Sequence, residues 1–171
     1  MSCILNIETS TNVCSVAVSQ DGSCIFNKED HEGPNHAVIL GVFVQQALSF
    51  IDSHAIPLDA VAVSCGPGSY TGLRIGLSMA KGICYGRDVK LIAIPTLELM
   101  CVPLLLGEKI NEENALLCPM IDARRMEVYT ATYNQDGQVL AQERPYILDP
   151  EYLFAEDIKE LSYHFFGDGA K

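Results

Sequence analysis

Basic residues are scarce in this chain. Lys and Arg total 11 against 22 Asp and Glu, a formal net charge of −11. That balance opposes independent binding to a phosphate backbone, so any role on nucleic acid calls for a basic partner. Charged residues of both signs make up only 19% of the chain and hydrophobic residues 49%, which excludes intrinsic disorder and a solvated acidic tail. No hydrophobic run is long enough to span a bilayer unbroken. The best, Ile39 to Ile51, is interrupted by Gln45 and Gln46, and the start MSCILNIETS lacks the charged region of a secretion signal. A cytoplasmic protein with no membrane partner is expected.

Chemical motifs are missing as well. No GxSxG nucleophile elbow appears, and the seven cysteines (Cys3, Cys14, Cys24, Cys65, Cys84, Cys101, Cys118) form no CxxC pair. Most of them lie in apolar runs, as reduced core thiols do. The histidines are His31, His36, His54 and His164. A helical zinc pair needs histidines four residues apart, yet Leu40 follows His36 at that spacing, so no metal site is expected.

The 171 residues suffice for one ordinary domain or two small ones, with roughly 70% of the unfolded surface buried. Apolar and alternating segments predict strands at 2–7, 13–19 and 23–30, the last two joined by the turn pair Asp21-Gly22. A helix over 35–53 and a buried strand over 60–64 follow. Next come a helix over 72–85, a strand over 90–94 and a helix over 96–106 opened by Pro95. The order βββαβαβα implies parallel strands beside an antiparallel meander.

The polar stretch 107–114 (GEKINEEN) marks the expected boundary between a lobe at 1–106 and a second at 115–171. The second lobe repeats the first. A strand over 115–122 ends at Asp122 as the first strand ends at Glu8, and the strand over 127–133 leads to Asp136-Gly137. A strand over 138–146, a helix from Asp149-Pro150 to Leu161, and a strand over 163–166 running into Gly167-Asp168-Gly169 complete it. The reading is a duplicated α/β fold with two βββαβα-type lobes. The second lacks its last crossover helix, so further residues are expected beyond Lys171.

Two features carry candidate chemistry. In CGPGSYTGLRIG (Cys65 to Gly76), Gly66, Gly68, Ser69 and Thr71 sit where a strand meets a helix. Backbone N–H groups there could cradle an anion, although the segment fits neither the dinucleotide nor the Walker pattern; a close-packed turn is the alternative. Glu8 and Asp122, at equivalent strand ends, would face a cleft between the lobes and a metal-phosphate, or else organise polar turns.

The helices are the second feature. Apolar residues wrap too far around the segment 35–53 for one sheet to bury, and Gly72, Gly76 and Ala80 form a ridge of small residues. An intermolecular helical interface is expected, with burial under the protein's own second half as the alternative.

The segments ILNIETSTNVCSVAVSQDG, SCGPGSYTGLRIGLSMAKGI and MIDARRMEVYTATY resemble the TsaB (YeaZ) family in order and spacing. The resemblance implies a duplicated ribonuclease H-like (actin/Hsp70-like, ASKHA) fold. It also implies a non-catalytic scaffold role in forming N6-threonylcarbamoyladenosine next to the tRNA anticodon. Implied partners are TsaD, which the chain would bind and activate, the ATPase TsaE, and a second copy of the chain; tRNA would be met only through the complex. No cofactor is required by the resemblance, though ATP or ADP with magnesium could sit at a complex interface.

The helical bundle implied for the interface maps onto Leu40, Phe43, Val44 and Ala47 in one helix. In the other it maps onto Leu73, Gly76, Leu77, Met79 and Ala80. Glu8 departs from the family's usual Asp, displacing the carboxylate by roughly 1.5 Å, which counts against independent nucleotide hydrolysis. A nucleotide-binding phosphotransferase of the same superfold and a metallopeptidase remain as alternatives.

Overall fold

A computed structural model describes residues 2–33, 35–107, 114–148 and 162–170. They fall into two units, Met1–Pro95 and Thr96–Lys171. The first contains β1 (Cys3–Glu8), β2 (Cys14–Gln20), β3 (Ser23–Asp30), α1 (His36–Ser53), β4 (Ala60–Ser64), α2 (Tyr70–Arg87) and β5 (Lys90–Ile94). Its sheet runs β3-β2-β1-β4-β5. The meander β1–β3 is antiparallel, and β4 and β5 lie parallel to β1 after helical crossovers.

Alternation along the strands decides which face is covered. Cys3, Leu5 and Ile7 of β1 and Cys14, Val16 and Val18 of β2 are buried, while β4, central and parallel, is buried throughout. Over this sheet α1 packs on β2 and α2 on β4. The inward stripe of α1 is His36, Leu40, Val44, Ala47 and Ile51, at helical spacing. By length and composition α1 could cross a membrane. Leu40, Val44, Ala47 and Ile51 are nevertheless at most 4% exposed and belong to the core of the first unit.

Helix α2 starts two residues earlier and ends two later than the sequence predicts. Ser69 caps it, accepting from the Gly72 N–H at 3.2 Å. At the other end Asp88 adopts a left-handed conformation (φ 52°). Arg87, in the last turn, reaches both carboxylate oxygens of Asp52 on α1 at 2.6 and 2.7 Å. That bidentate hydrogen bonding holds the Asp52 carboxyl below its ordinary range.

The second unit comprises α3 (Thr96–Leu106), β6 (Ala115–Arg124), β7 (Glu127–Tyr133), β8 (Val139–Ile147) and β9 (Ser162–Phe166). Its sheet runs β8-β7-β6-β9, with β9 parallel to β6 and the other pairs antiparallel. This repeats the first four strands of the other sheet, so the fold is a duplicated ribonuclease H-like α/β arrangement. The boundary falls at Pro95, ahead of the polar stretch at 107–114. Leu97 and Cys101 place α3 in a core with Leu117, Ile121, Ala131 and Tyr133, which moves α3 out of the first lobe. The helix expected from Asp149-Pro150 to Leu161 lies outside the described residues, as do 108–113 of the expected linker.

The two Asp-Gly pairs turn differently. Asp21 and Gly22 both have positive φ (50° and 81°), as a tight two-residue hairpin requires. At Asp136-Gly137 only the glycine does, and its N–H donates to Asn134 O at 3.0 Å.

All seven cysteines are free thiols; Cys3, Cys14, Cys101 and Cys118 are buried, whereas Cys24 and Cys65 are exposed. Burial, then the neighbouring Cys118 and Glu98, push the Cys101 thiol up to about 12. Only a thiolate alkylates rapidly. Iodoacetamide at neutral pH is therefore expected to label Cys24 and Cys65 in the native protein and to spare Cys101 and Cys118 until unfolding, as read by peptide mass spectrometry. Native-state labelling of Cys101 at the rate of Cys65 would contradict this packing.

Candidate functional site

Parallel pairing of β1 and β4 brings two loops out at one end of the first sheet. One is Thr9-Ser10-Thr11 after β1, and the other is Cys65 to Ser69 after β4. They lock together. The Thr9 hydroxyl donates to Gly72 O at 2.8 Å, and the Ser69 N–H donates to Ser10 O at 2.6 Å. Glu8 Oε1 accepts from the Ser10 N–H at 2.6 Å and from Ser64 Oγ at 2.9 Å.

The glycines serve this close approach. A Cβ on Gly68 would lie 2.5 Å from Ser10 O, one on Gly72 would overlap the Thr9 carbonyl oxygen, and one on Gly76 would overlap Thr9 Oγ1. The small-residue ridge of α2 is thus the seat of Thr9, which is 0% exposed. This corrects its reading as a surface for another helix.

The same contacts engage two of the backbone donors at this turn. The N–H groups of Ser69 and Gly72 both have acceptors within the chain, and Gly68 is pressed against Ser10. Thr71 is exposed and Ser69 alone caps the helix.

Each candidate carboxylate works within its own unit. Glu8 is half-buried, with Oε2 buried and without a hydrogen-bond partner. Asp122 is exposed; its Oδ1 accepts from the Arg124 N–H at 2.7 Å, and its own N–H donates to Asp168 Oδ1 at 3.1 Å. Both organise turns, as Asx-type chemistry allows.

His36 opens α1 and is 5% exposed; its Nε2–H donates to Thr11 O at 2.8 Å, tying the helix to the β1–β2 turn. Among the described residues no three His, Cys, Asp or Glu side chains converge as metal ligands.

The remaining feature is the outer face of α1 and α2. Val38 (73% exposed), Val42 (49%), Tyr70 (74%) and Tyr85 (93%) leave apolar surface in water. An open groove of about 810 Å³ lies between the helices, lined by Ala37 of α1 and by Tyr70, Arg74, Ile75, Ser78 and Met79 among other residues of α2. Arg74 stacks 5.2 Å above the Tyr70 ring and donates to its hydroxyl at 3.2 Å.

Of the nine expected contact residues, Phe43, Leu73, Leu77 and Met79 are half-buried. Leu40, Val44, Ala47, Gly76 and Ala80 are core positions, a correction that follows from their place on the inward stripes. Val38, Val42, Tyr70 and Tyr85, outside that set, are the exposed large apolar side chains of these two helices. They lie opposite those stripes, and only knowledge of the buried side reveals them.

The seat of Thr9 can be tested on one helix. Gly72→Ala is expected to lower stability by about 1–3 kcal/mol. Gly82→Ala, where nothing lies within 4 Å of a new Cβ, should raise it by roughly 0.4–1 kcal/mol. Urea midpoints read both, and a Gly72→Ala protein as stable as the parent would remove the proposed contact.

The family model described as "TsaD: tRNA N6-adenosine threonylcarbamoyltransferase" matches residues 31–163. The tRNA threonylcarbamoyladenosine biosynthesis protein TsaB of Bacillus subtilis (strain 168) is 32% identical over 92% of this chain and 65% of its own length. TsaB of Escherichia coli (strain K12) is 33% identical over 93% of this chain and 67% of its own. The chain thus spans about two thirds of the length of these relatives.

Among solved structures, YeaZ from Pseudomonas aeruginosa superposes with a TM-score of 0.66 at 27% identity, covering 89% of this chain and 69% of that one. An uncharacterised protein with similarity to peptidase YeaZ, also from P. aeruginosa, gives 0.72 at 25% identity, covering 96% and 75%. A family match over well over half its residues, and sequence likeness to TsaB along nearly all of them, show that the chain belongs to the TsaB/YeaZ family, relatives of TsaD.

Proposed function

We propose that this chain is a scaffold subunit, without catalytic chemistry of its own, in the machinery that makes threonylcarbamoyladenosine in tRNA. It binds a TsaD-type transferase through the outer face of α1 and α2, holds that enzyme in its active arrangement, and helps recruit TsaE. A second copy of the chain competes for the same face. The observation that carries this reading is the exposure of Val38 and Val42 on α1 and of Tyr70 and Tyr85 on α2, with Tyr70 lining an open groove. A single exposed apolar residue needs no explanation, but four on the outer sides of two helices that pack together are what a partner would bury.

Chemistry within the chain finds little support. The Gly-rich turn is filled by Ser10, and Leu40, standing where a second histidine would be needed for a helical metal pair, is in the core. The net charge of −11 favours tRNA contacts on the partner rather than on this subunit. A cytoplasmic location follows from the same reading.

Titrating purified TsaD from the same organism into the intact protein should give specific association. Val38→Glu combined with Val42→Glu, at exposed positions that leave the core untouched, should weaken it by about tenfold or more. Binding within about twofold of the parent would place the interface elsewhere.

A further inference from the structure

Charge is distributed unevenly over this chain. Acidic residues outnumber basic ones two to one overall, yet the two 18-residue helices α1 and α2 hold a single carboxylate, Asp52, against three cations, Arg74, Lys81 and Arg87. Asp52 is already taken, since Arg87 reaches both of its oxygens at 2.6 and 2.7 Å. The helix pair therefore carries an excess of positive charge in a protein of net charge −11, and no carboxylate of its own is left to answer it. The two remaining cations lie on one side of α2. Tyr70, Arg74, Ser78, Lys81 and Tyr85 follow one another at intervals of four or three residues, which places them in one stripe, and all five are exposed.

Arg74 lines the open groove together with Ala37, Tyr70, Ile75 and Met79. Its guanidinium lies 5.2 Å from the centre of the Tyr70 ring and donates to the Tyr70 hydroxyl at 3.2 Å, and among the described residues no carboxylate reaches it. A ring and a neutral hydroxyl orient a guanidinium without neutralising it, so most of its N–H donors stay available to a planar acceptor such as a carboxylate. A second copy of the chain seated here through the same two helices would bring more cations and no free acid, and burying an unanswered guanidinium is costly. A phosphate backbone would meet the cations but leave Ala37, Ile75 and Met79 unused, and the net charge opposes it.

We propose that the occupant of this groove is a surface of the TsaD-type partner that sets carboxylates against Arg74 and Lys81 among apolar side chains, and that this charge pairing selects the partner over a second copy of the chain. The inference deepens the scaffold reading and rests on it. Purified TsaD from the same organism is the probe, titrated calorimetrically into the intact protein at low and at high salt. Self-association is read by sedimentation equilibrium of the protein alone. Both measurements compare the parent with Arg74→Met combined with Lys81→Met, which removes the charges and keeps apolar stems, and with Arg74→Lys.

Removing both charges is expected to weaken the association with TsaD about tenfold or more and to flatten its dependence on salt, while self-association stays the same or tightens. Arg74→Lys, which keeps the charge and loses the planar fork, should fall between the parent and the double variant. If the double variant unfolds, that intermediate affinity carries the test. TsaD binding by the double variant within about twofold of the parent overturns the charge pairing and leaves the scaffold reading in place. Equal loss of TsaD binding and of self-association overturns the selection. A parent protein that does not bind TsaD overturns the scaffold reading and this inference with it. Parent affinity for tRNA that disappears in the double variant, with TsaD binding unchanged, would reassign the stripe to phosphate and also overturn the proposal.

Discussion

Thr9 lying against the glycine side of α2 is the contact on which the first unit depends. It requires Gly72 and Gly76 on one face of the helix, and it brings the turn after β1 close enough for Ser10 to accept from Ser69. His36 reaches the same turn from α1 through Thr11 O. One short polar segment thereby sets the positions of both crossover helices on the sheet. Because their inner sides are committed to it and to the core, only their outer sides are left for another molecule.

This arrangement shows a loop with the composition of an anion cradle closing on a neighbouring turn of its own chain. Glycines permit close approach by whatever is nearest, whether a phosphate or the chain itself. Here the nearest group is the backbone of Thr9 and Ser10. Membership of the TsaB/YeaZ family accords with a fold that keeps the ribonuclease H-like layout and fills one of its loop sites with its own residues.

Strand and helix positions are largely legible in the sequence, because alternation in β1 and β2, the Asp21-Gly22 pair and the repeat of acid-ended strands are local signals. The faces of α1 are not. With apolar side chains at Val38, Leu40, Val42 and Val44 alike, periodicity allows several inward stripes, and packing on β2 selects the one through Leu40 and Val44. The unit boundary was misplaced for a similar reason: a polar stretch is visible in sequence, whereas the attachment of Leu97 and Cys101 to β6 is a tertiary choice. The partner of the Gly72–Gly76 ridge was hidden too, since sequence marks small residues without naming what approaches them.

The ion pair between Arg87 and Asp52 joins the C-terminal ends of α2 and α1, while His36 pins the beginning of α1 to the turn after β1. Fastened at both ends, the helix pair behaves as a plate. A molecule settling on it finds a shape already set and loses little to reorganisation, so the complex can form quickly and its lifetime is decided by the visitor's own fit.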